Sequence, residues 1–477
     1  MDQGNASSQE ELAEGEEATT GAWEDLQTAL RLQGGILFLA PAFVGRESYC
    51  GRDVIAPNSD RSKHGDERGY VPVERWVASA TKACNQLPKP DEGLSSLLLP
   101  SGRSMLLSSA ISLEESKRRG DGGGGVLFGG YTSRWPLIKV LDIGGKPVCP
   151  SFASATEKSG EQEGKKMEVP PIPVHVHAGT YDPKEGRLVG PGKLEAYFFP
   201  PVKSVPPYCH RFEEKKEDWG RVVSRLGLVE GTTKEQLVAA VGRFALDDSL
   251  YALCNEYEIK EYEGWIIRPK VLHSPGPYPT IEMQLPQDDF NFLGWELGCP
   301  ICHTHSEEED GQEVDEESKR RWQEARENLL LRGMKDERQV VELAVDWERC
   351  TDPHFEQTNK RKSRLLQSGA WGRLLRIFFD EFDGEVVELN AGASFTHHHH
   401  HHRRCDDEGE RSEQQPCAGL VWSGRGTVNG HAVDAMEATR QEFVVSMQVE
   451  ALHVVDTSTT QPLILFLFFP FQLSDEL

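Results

Sequence analysis

His175 and His177 flank a single valine in the run Pro173-Val174-His175-Val176-His177-Ala178-Gly179. In an extended segment side chains alternate between two faces, so both imidazoles project together while Val174 and Val176 pack on the opposite side. Two imidazoles on one face chelate readily. Downstream, Lys193-Leu194-Glu195-Ala196-Tyr197-Phe198-Phe199 reads as a second strand on which Glu195, Tyr197 and Phe199 share a face, and the segment Gly264 to Gly276 supplies His273 after a turn containing Pro269. Three histidine nitrogens and one carboxylate oxygen, with positions left for water or substrate, are the ligands of a catalytic rather than a closed structural metal site. Any one of these histidines alone is as well read as an ordinary core or surface residue. The combination argues for a divalent ion at His175, His177, Glu195 and His273, most simply zinc.

Such a site needs separate strands that converge. Gly35 to Val44 and Trp135 to Ile143 are short apolar runs bounded by Gly and Pro, which favours buried strands. From about Ala370 the texture returns in Arg376 to Phe379, Glu385 to Leu389, Gly419 to Val421, Glu442 to Gln448 and Pro462 to Phe471, separated by Gly-rich turns. Many short strands with such turns indicate barrels or sandwiches. The order of ligands suits a jelly roll, which builds one site from several strands. Thr232-x-x-Glu235 opens a capping box, and Leu237, Val241, Phe244 and Leu250 at helical spacing predict a helix over Thr232 to Tyr257. Two further helices, Ser318 to Leu331 and Lys335 to Trp347, are expected to meet at Gly333.

The expected fold is mainly β, two jelly-roll barrels with helical insertions. A disordered acidic tail covers residues 1–34. A metal-binding domain follows over 35–302, with a helical insertion at about 220–257. An acidic loop and helical connector spans 303–365, and a second barrel without metal spans 366–477.

The formal charge is −25, and the runs 1–30 and 307–317 each carry eight acids and no base. The remainder is ordinary for a soluble protein and lacks the basic face a nucleic-acid backbone demands, so nucleic-acid binding is not expected. No apolar run reaches the roughly 18 residues a membrane span needs. The first 30 residues have no secretory pattern, so the ten cysteines are read as reduced thiols and the location as cytoplasmic. The terminal Ser-Asp-Glu-Leu matches an ER-retention address and, without an entry signal, is read as coincidence.

Several other motifs are read as decoys. The Gly-rich run Arg118 to Gly130 lacks the Lys-Ser/Thr ending of a phosphate loop and is read as a flexible insertion. Cys299-Pro-Ile-Cys302-His303-Thr-His305 has no second half of a zinc site after it. His397 to His402 is read as a low-complexity expansion in a hairpin loop between Phe395 and Gly419.

These residues resemble the cupins, whose first motif is His-x-His followed by Glu and whose second contributes a lone His after Gly and Pro. More narrowly, the chain looks like the type I phosphomannose isomerases over about residues 35–300. Trp135-Pro-Leu-Ile-Lys139-Val-Leu-Asp142 resembles that family's apolar strand with an embedded Lys, Lys193-x-Glu195 its Lys-x-Glu, and Ile281-Glu282-Met283-Gln284 its Glu-x-Gln. The resemblance implies interconversion of mannose 6-phosphate and fructose 6-phosphate or a related sugar, with Lys193 and Glu282 as catalytic residues and Lys139 contacting substrate. Asp288 and Asp289 are read as solvated turn carboxylates. There are departures: the position of the family's catalytic Arg, ten residues beyond the Glu of Glu-x-Gln, is Phe292 here. That of its phosphate-contacting Ser is Pro173, and that of its later Lys lies near Gly298. Two other readings remain open, a sugar-binding protein without catalysis, favoured by Phe292, and an iron dioxygenase, since three His and one Glu also hold iron.

Overall fold

The computed structural model describes residues 21–46, 71–85, 87–121, 127–142, 172–202, 222–244, 249–294, 320, 323–324, 326–398 and 414–471 of the 477. The acidic run 307–317, the Cys299 to His305 segment, residues 399–402 of the histidine run and the last four residues lie outside them.

The chain is mainly β, arranged as two jelly-roll barrels, each a large sheet facing a small one. In the first, a seven-stranded sheet places Lys360–Lys362, Glu263–Ile267, Glu195–Phe198, Thr280–Gln284, Leu137–Leu141, Val71–Val77 and Ala42–Arg46 side by side. It faces a five-stranded sheet ordered Cys254–Glu258, Val223–Leu228, His273–Ser274, His175–Val176 and Asn291–Phe292. In the second, a nine-stranded sheet covers a four-stranded one made of Ser394–His398, Ala451–Asp456, Arg425–Val428 and His431–Asp434. All described pairings in these sheets are antiparallel.

The period-two pattern decides which face sees which core. In Glu195–Phe198, Leu137–Leu141 and Thr280–Gln284 every residue is buried, because both faces of this sheet are covered. Glu195, Tyr197, Lys139 and Glu282 point into the first barrel. Ala196, Phe198, Ile138, Val140, Ile281 and Met283 belong instead to the core shared with the second barrel. Phe198 meets Phe378 and Phe466 of the nine-stranded sheet edge to face, with ring centres 6.3 and 5.9 Å apart. The metal-ligand strand and the inter-barrel seam are thus opposite faces of the same four residues.

The expected boundary at residue 35 is corrected by the pairing of the strand Ile36–Ala40. It joins Glu442–Val445 and is followed outward by Ser96–Leu98 and Ser104–Leu106, all in the sheet of the second barrel. The chain therefore starts in the second barrel and crosses into the first at Ala42–Arg46. Arg75 of the first barrel forms a buried ion pair with Glu442 of the second, and Glu442 also accepts from the Ala78 amide. Removing one partner of a buried pair leaves a buried charge and costs about 3–5 kcal/mol. Glu442→Ala is accordingly expected to lower the unfolding free energy by that amount, read as a fall in the denaturant midpoint at constant slope, and an unchanged midpoint would show that the seam does not depend on the pair.

Three local expectations are also corrected. Residues 21–32 are helical rather than tail, since Trp23, Leu26, Ala29 and Leu30 make an apolar stripe that packs on the core. The helix expected over Thr232 to Tyr257 is short, Lys234–Val241, capped by Thr233 and Gln236 rather than Thr232 and Glu235. The flanking Val223–Leu228 and Cys254–Glu258 are strands, because edge pairing outweighs helical propensity there. His397 lies in a strand, buried against Glu385, so the histidine run begins inside the barrel wall. In the connector, Arg326–Leu331 and Glu337–Ala344 are separated at Gly333, φ +87°, as expected. The end of the Gly-rich run, Leu127 to Gly129, turns three amides onto the Glu114 carboxylate at 2.7–3.2 Å, so a residue of the chain fills that anion nest.

Candidate metal centre

His175 and His273 face each other directly across two paired strands, and Phe292 opposes His175 on its other side. This register clusters the imidazoles, with His175 and His273 ring centres 4.1 Å apart in a tilted pair and His175 and His177 5.0 Å apart edge to face. Val174 and Val176 are buried behind them, as the alternation predicts. The loop before Glu195 is pressed onto the same strand. At Gly192, φ +76°, a Cβ would stand 2.6 Å from the His177 carbonyl, so only glycine allows that approach.

Each imidazole is oriented from behind. The Nδ1 of His175, His177 and His273 lie 2.8, 2.6 and 2.7 Å from the carbonyl oxygens of Pro173, Asp289 and Val271. A carbonyl only accepts, so each Nδ1 carries the proton and each Nε2 presents its lone pair inward, the tautomer a metal ion requires. The four candidate ligand atoms of His175, His177, Glu195 and His273 lie within 4.8 Å of one another, all buried. His177 Nε2 is 3.1 Å and His273 Nε2 2.9 Å from the Glu195 carboxylate. His177 Nε2, His273 Nε2 and Glu195 Oε2 are buried without a hydrogen-bond partner. Lone pairs facing a carboxylate at such distances repel, and a divalent cation is the group that satisfies all of them. The residues fit a metal ion.

The charge states agree. Burial, with His273 and His177 adjacent, holds His175 well below the ordinary imidazole range. Burial and Lys193 bring His177 down to about 4. Burial alone would raise Glu195, but Lys193 and the imidazoles outweigh it and hold the carboxyl well below its usual value. At neutral pH His175 and His177 are neutral and Glu195 is a carboxylate, the states in which these groups ligate a cation.

The seven-stranded sheet supplies a second layer. Its cross-strand register sets Trp76, Lys139, Glu282, Tyr197 and Trp265 in one row across the barrel floor. Lys193 Nζ lies 2.9 Å from Glu195, 2.7 Å from Gln284 Oε1 and 3.7 Å from Glu282, and the Tyr197 hydroxyl donates to Glu195. Burial, then the nearby Glu195 charge, pushes Glu282 up to about 7. Lys139 stands 3.1 Å from Asp288, 3.7 Å from Glu74 and 4.0 Å from Glu282. Lys139, His175, His177, Lys193 and Glu282 line one cavity. Its volume of about 30 Å³ suits an ion and a water.

Asp288 corrects the solvated-turn reading. It is buried, and Arg46 and Lys139 overcome the effect of burial to hold its carboxyl well below the usual range, so it is no proton source. Arg46 binds Glu74 and Asp288 in two forks, at 2.8 and 3.0 Å and at 2.8 and 3.1 Å. The arginine and Glu74 were not read from the sequence. The available signal was a charge inside an apolar strand, as in Val71-Pro-Val-Glu74-Arg-Trp-Val77.

No protein-family model matches the sequence, and neither does any curated protein. Among solved structures, the chain is similar to mannose 6-phosphate isomerase from Bacillus subtilis, with 15% identity, a TM-score of 0.47, and 91% of this chain and 99% of that one covered. It is also similar to a variant of phosphomannose isomerase from Salmonella typhimurium, with 10% identity, a TM-score of 0.44, and 92% of this chain and 100% of that one covered.

Proposed function

We propose that the chain is a metal-dependent aldose-ketose isomerase of the mannose 6-phosphate isomerase type, acting on mannose 6-phosphate or a related sugar, with zinc as its ion. The observation that carries this reading is the placement of Lys193 and Glu282 3.7 Å apart beside the four candidate ligands. Aldose-ketose interconversion moves a proton between neighbouring carbons through an enediol and needs a base, an acid and stabilisation of the developing charge. A divalent ion held by His175, His177, Glu195 and His273 supplies the Lewis acidity that polarises a carbonyl and its neighbouring hydroxyl. Glu282, held at about 7, can take or return a proton at Oε1 near neutral pH. Lys193 Nζ donates to Gln284, forms an ion pair with Glu195 and lies at the same wall, where it carries the proton on the other oxygen. Lys139 fixes Glu282 and Asp288 and lines the sugar's side of the cavity.

Phe290 and Phe292 close the opposite wall and exclude water from the enediol. A hexose needs several times the cavity volume, so this reading includes outward movement of that wall when sugar binds. The motif resemblance supports the same activity, and the protein acts on a small molecule in a soluble state. The test is a panel of free and phosphorylated aldoses and ketoses with the zinc-loaded and the chelator-treated protein. Metal-dependent interconversion is expected. Binding of sugars with no turnover under zinc, manganese, cobalt or iron would replace the isomerase with a binding protein, and oxygen consumption with iron would replace it with a dioxygenase.

A further inference from the structure

The cations that line the cavity are already committed. Arg46 is held in two forks by Glu74 and Asp288, Lys139 is flanked by three carboxylates, and Lys193 is bound to Glu195 and Gln284. A phosphate entering among them would have to displace buried carboxylates, each of which would then be left buried and unpaired.

Arg332 is placed differently. The residue reaches the surface, and among the described residues no carboxylate lies within ion-pair distance of its guanidinium, although Asp289 and Asp288 are near enough to act on it through space and its charged end is partly desolvated against the protein. The guanidinium sits 5.4 Å from the centre of the Phe290 ring, and Phe290 is a wall of the metal cavity. Arg46 approaches the same ring at 5.9 Å, so Phe290 separates the committed arginine from the uncommitted one. The backbone at Arg332 is left-handed, φ +45°, a conformation that is unfavourable for a non-glycine residue. It is held there by the Arg332 amide on the Glu327 carbonyl and the Met334 amide on the Leu331 carbonyl, both 2.8 Å, with Leu330, Leu331 and Met334 buried beneath. That turn carries the side chain back over the rim. A guanidinium stacked on a ring keeps its N–H edges available, and those edges match a phosphate in two parallel hydrogen bonds.

We propose that Arg332 is the specificity-determining residue that pairs with the phosphate of a sugar phosphate at the rim of the metal cavity and so selects it over the free sugar. This rests on the sugar reading of the site given above. It also places, on the connector, a positive charge that the strand position Phe292 lacks.

Calorimetric binding of mannose 6-phosphate, mannose and inorganic phosphate to the zinc-loaded full chain tests this directly. The unaltered protein should bind mannose 6-phosphate more tightly than mannose, and more weakly as salt rises. Hydrogen bonds to charged groups contribute about 1.5–3 kcal/mol, so Arg332→Gln should weaken mannose 6-phosphate by about 10- to 150-fold and leave mannose unchanged. Arg332→Lys should restore part of the loss. Arg332→Gly suits the left-handed backbone, so the same selective loss in it cannot be a folding defect. Equal weakening of both sugars, no weakening of either, or no initial preference for the phosphorylated sugar would each overturn the assignment. Sugars that bind selectively through Arg332 without turnover would remove the isomerase reading alone. Turnover that persists with selectivity unaffected by Arg332→Gln would remove the Arg332 assignment alone.

Discussion

Zinc titrated into metal-free protein is expected to bind at one ion per chain, and His273→Ala is expected to abolish that binding at micromolar zinc. His273 is the most enclosed of the three histidines, fully buried and fixed from behind by the Val271 carbonyl. Losing an outer partner of a metal ligand typically costs about 10- to 100-fold in affinity, and losing the ligand itself should cost more. The variant also leaves Glu195 facing His177 with one fewer nitrogen to share a cation, so no alternative set of four forms nearby. The experiment needs one precaution from the structure. The histidines from His398 to His402 must first be replaced, because a run of consecutive histidines binds transition metals, while His397 must be kept because it is buried against Glu385. One equivalent of tightly bound zinc surviving the combined change of His175, His177 and His273 to Ala would show that the ion sits elsewhere.

Replacing Lys193 by Met should reduce isomerisation by about 10²- to 10⁴-fold, the range that a positioned proton-transfer group supplies. Lys193 forms an ion pair with Glu195 Oε2, so its loss removes a counter-charge from a candidate metal ligand. A bound dication supplies that counter-charge more strongly, and the metal content of the variant is therefore expected to stay at one equivalent. The two measurements together separate roles. Loss of activity with metal retained identifies Lys193 with proton movement, loss of both makes it a support for Glu195, and full activity with metal retained rules it out of the chemistry. The Gln284 carboxamide, 2.7 Å away, keeps the variant side chain in a polar slot, so a modest stability loss is expected alongside.

The ligand types were legible because alternation acts within each short strand. His175 and His177 share a face by alternation over three residues, and Glu195 and Tyr197 share another by the same rule. Lys139, Lys193 and Glu282 were singled out by the motif resemblance, and the sheet register brings Lys139 opposite Glu282 and Glu282 opposite Tyr197. The mainly β character followed likewise from short apolar runs between glycine turns.

What pattern could not reach depends on long-range pairing. Arg46 and Asp288 are 242 positions apart and meet only because the strand Ala42–Arg46 ends over the loop that follows Thr280–Gln284. Read alone, Asp288 is an acid in a turn, and burial beside two cations is what changes its charge state and role. The strand Ile36–Ala40 carries no mark of its partner, since an apolar strand fits either barrel and only the edge open at Glu442–Val445 decides. Residues 21–32 read as acidic and polar in composition, yet four spaced apolar side chains sufficed once a core was there to receive them. Arg332 is the clearest case, a residue of the connector returned to the cavity rim by a left-handed turn. Sequence by itself determined which side chains could ligate a cation and on which strand faces they lie, because alternation is a property of the backbone. Only the tertiary structure decided which charges neutralise one another and which remains uncommitted, because that depends on distances between segments that the chain order does not encode.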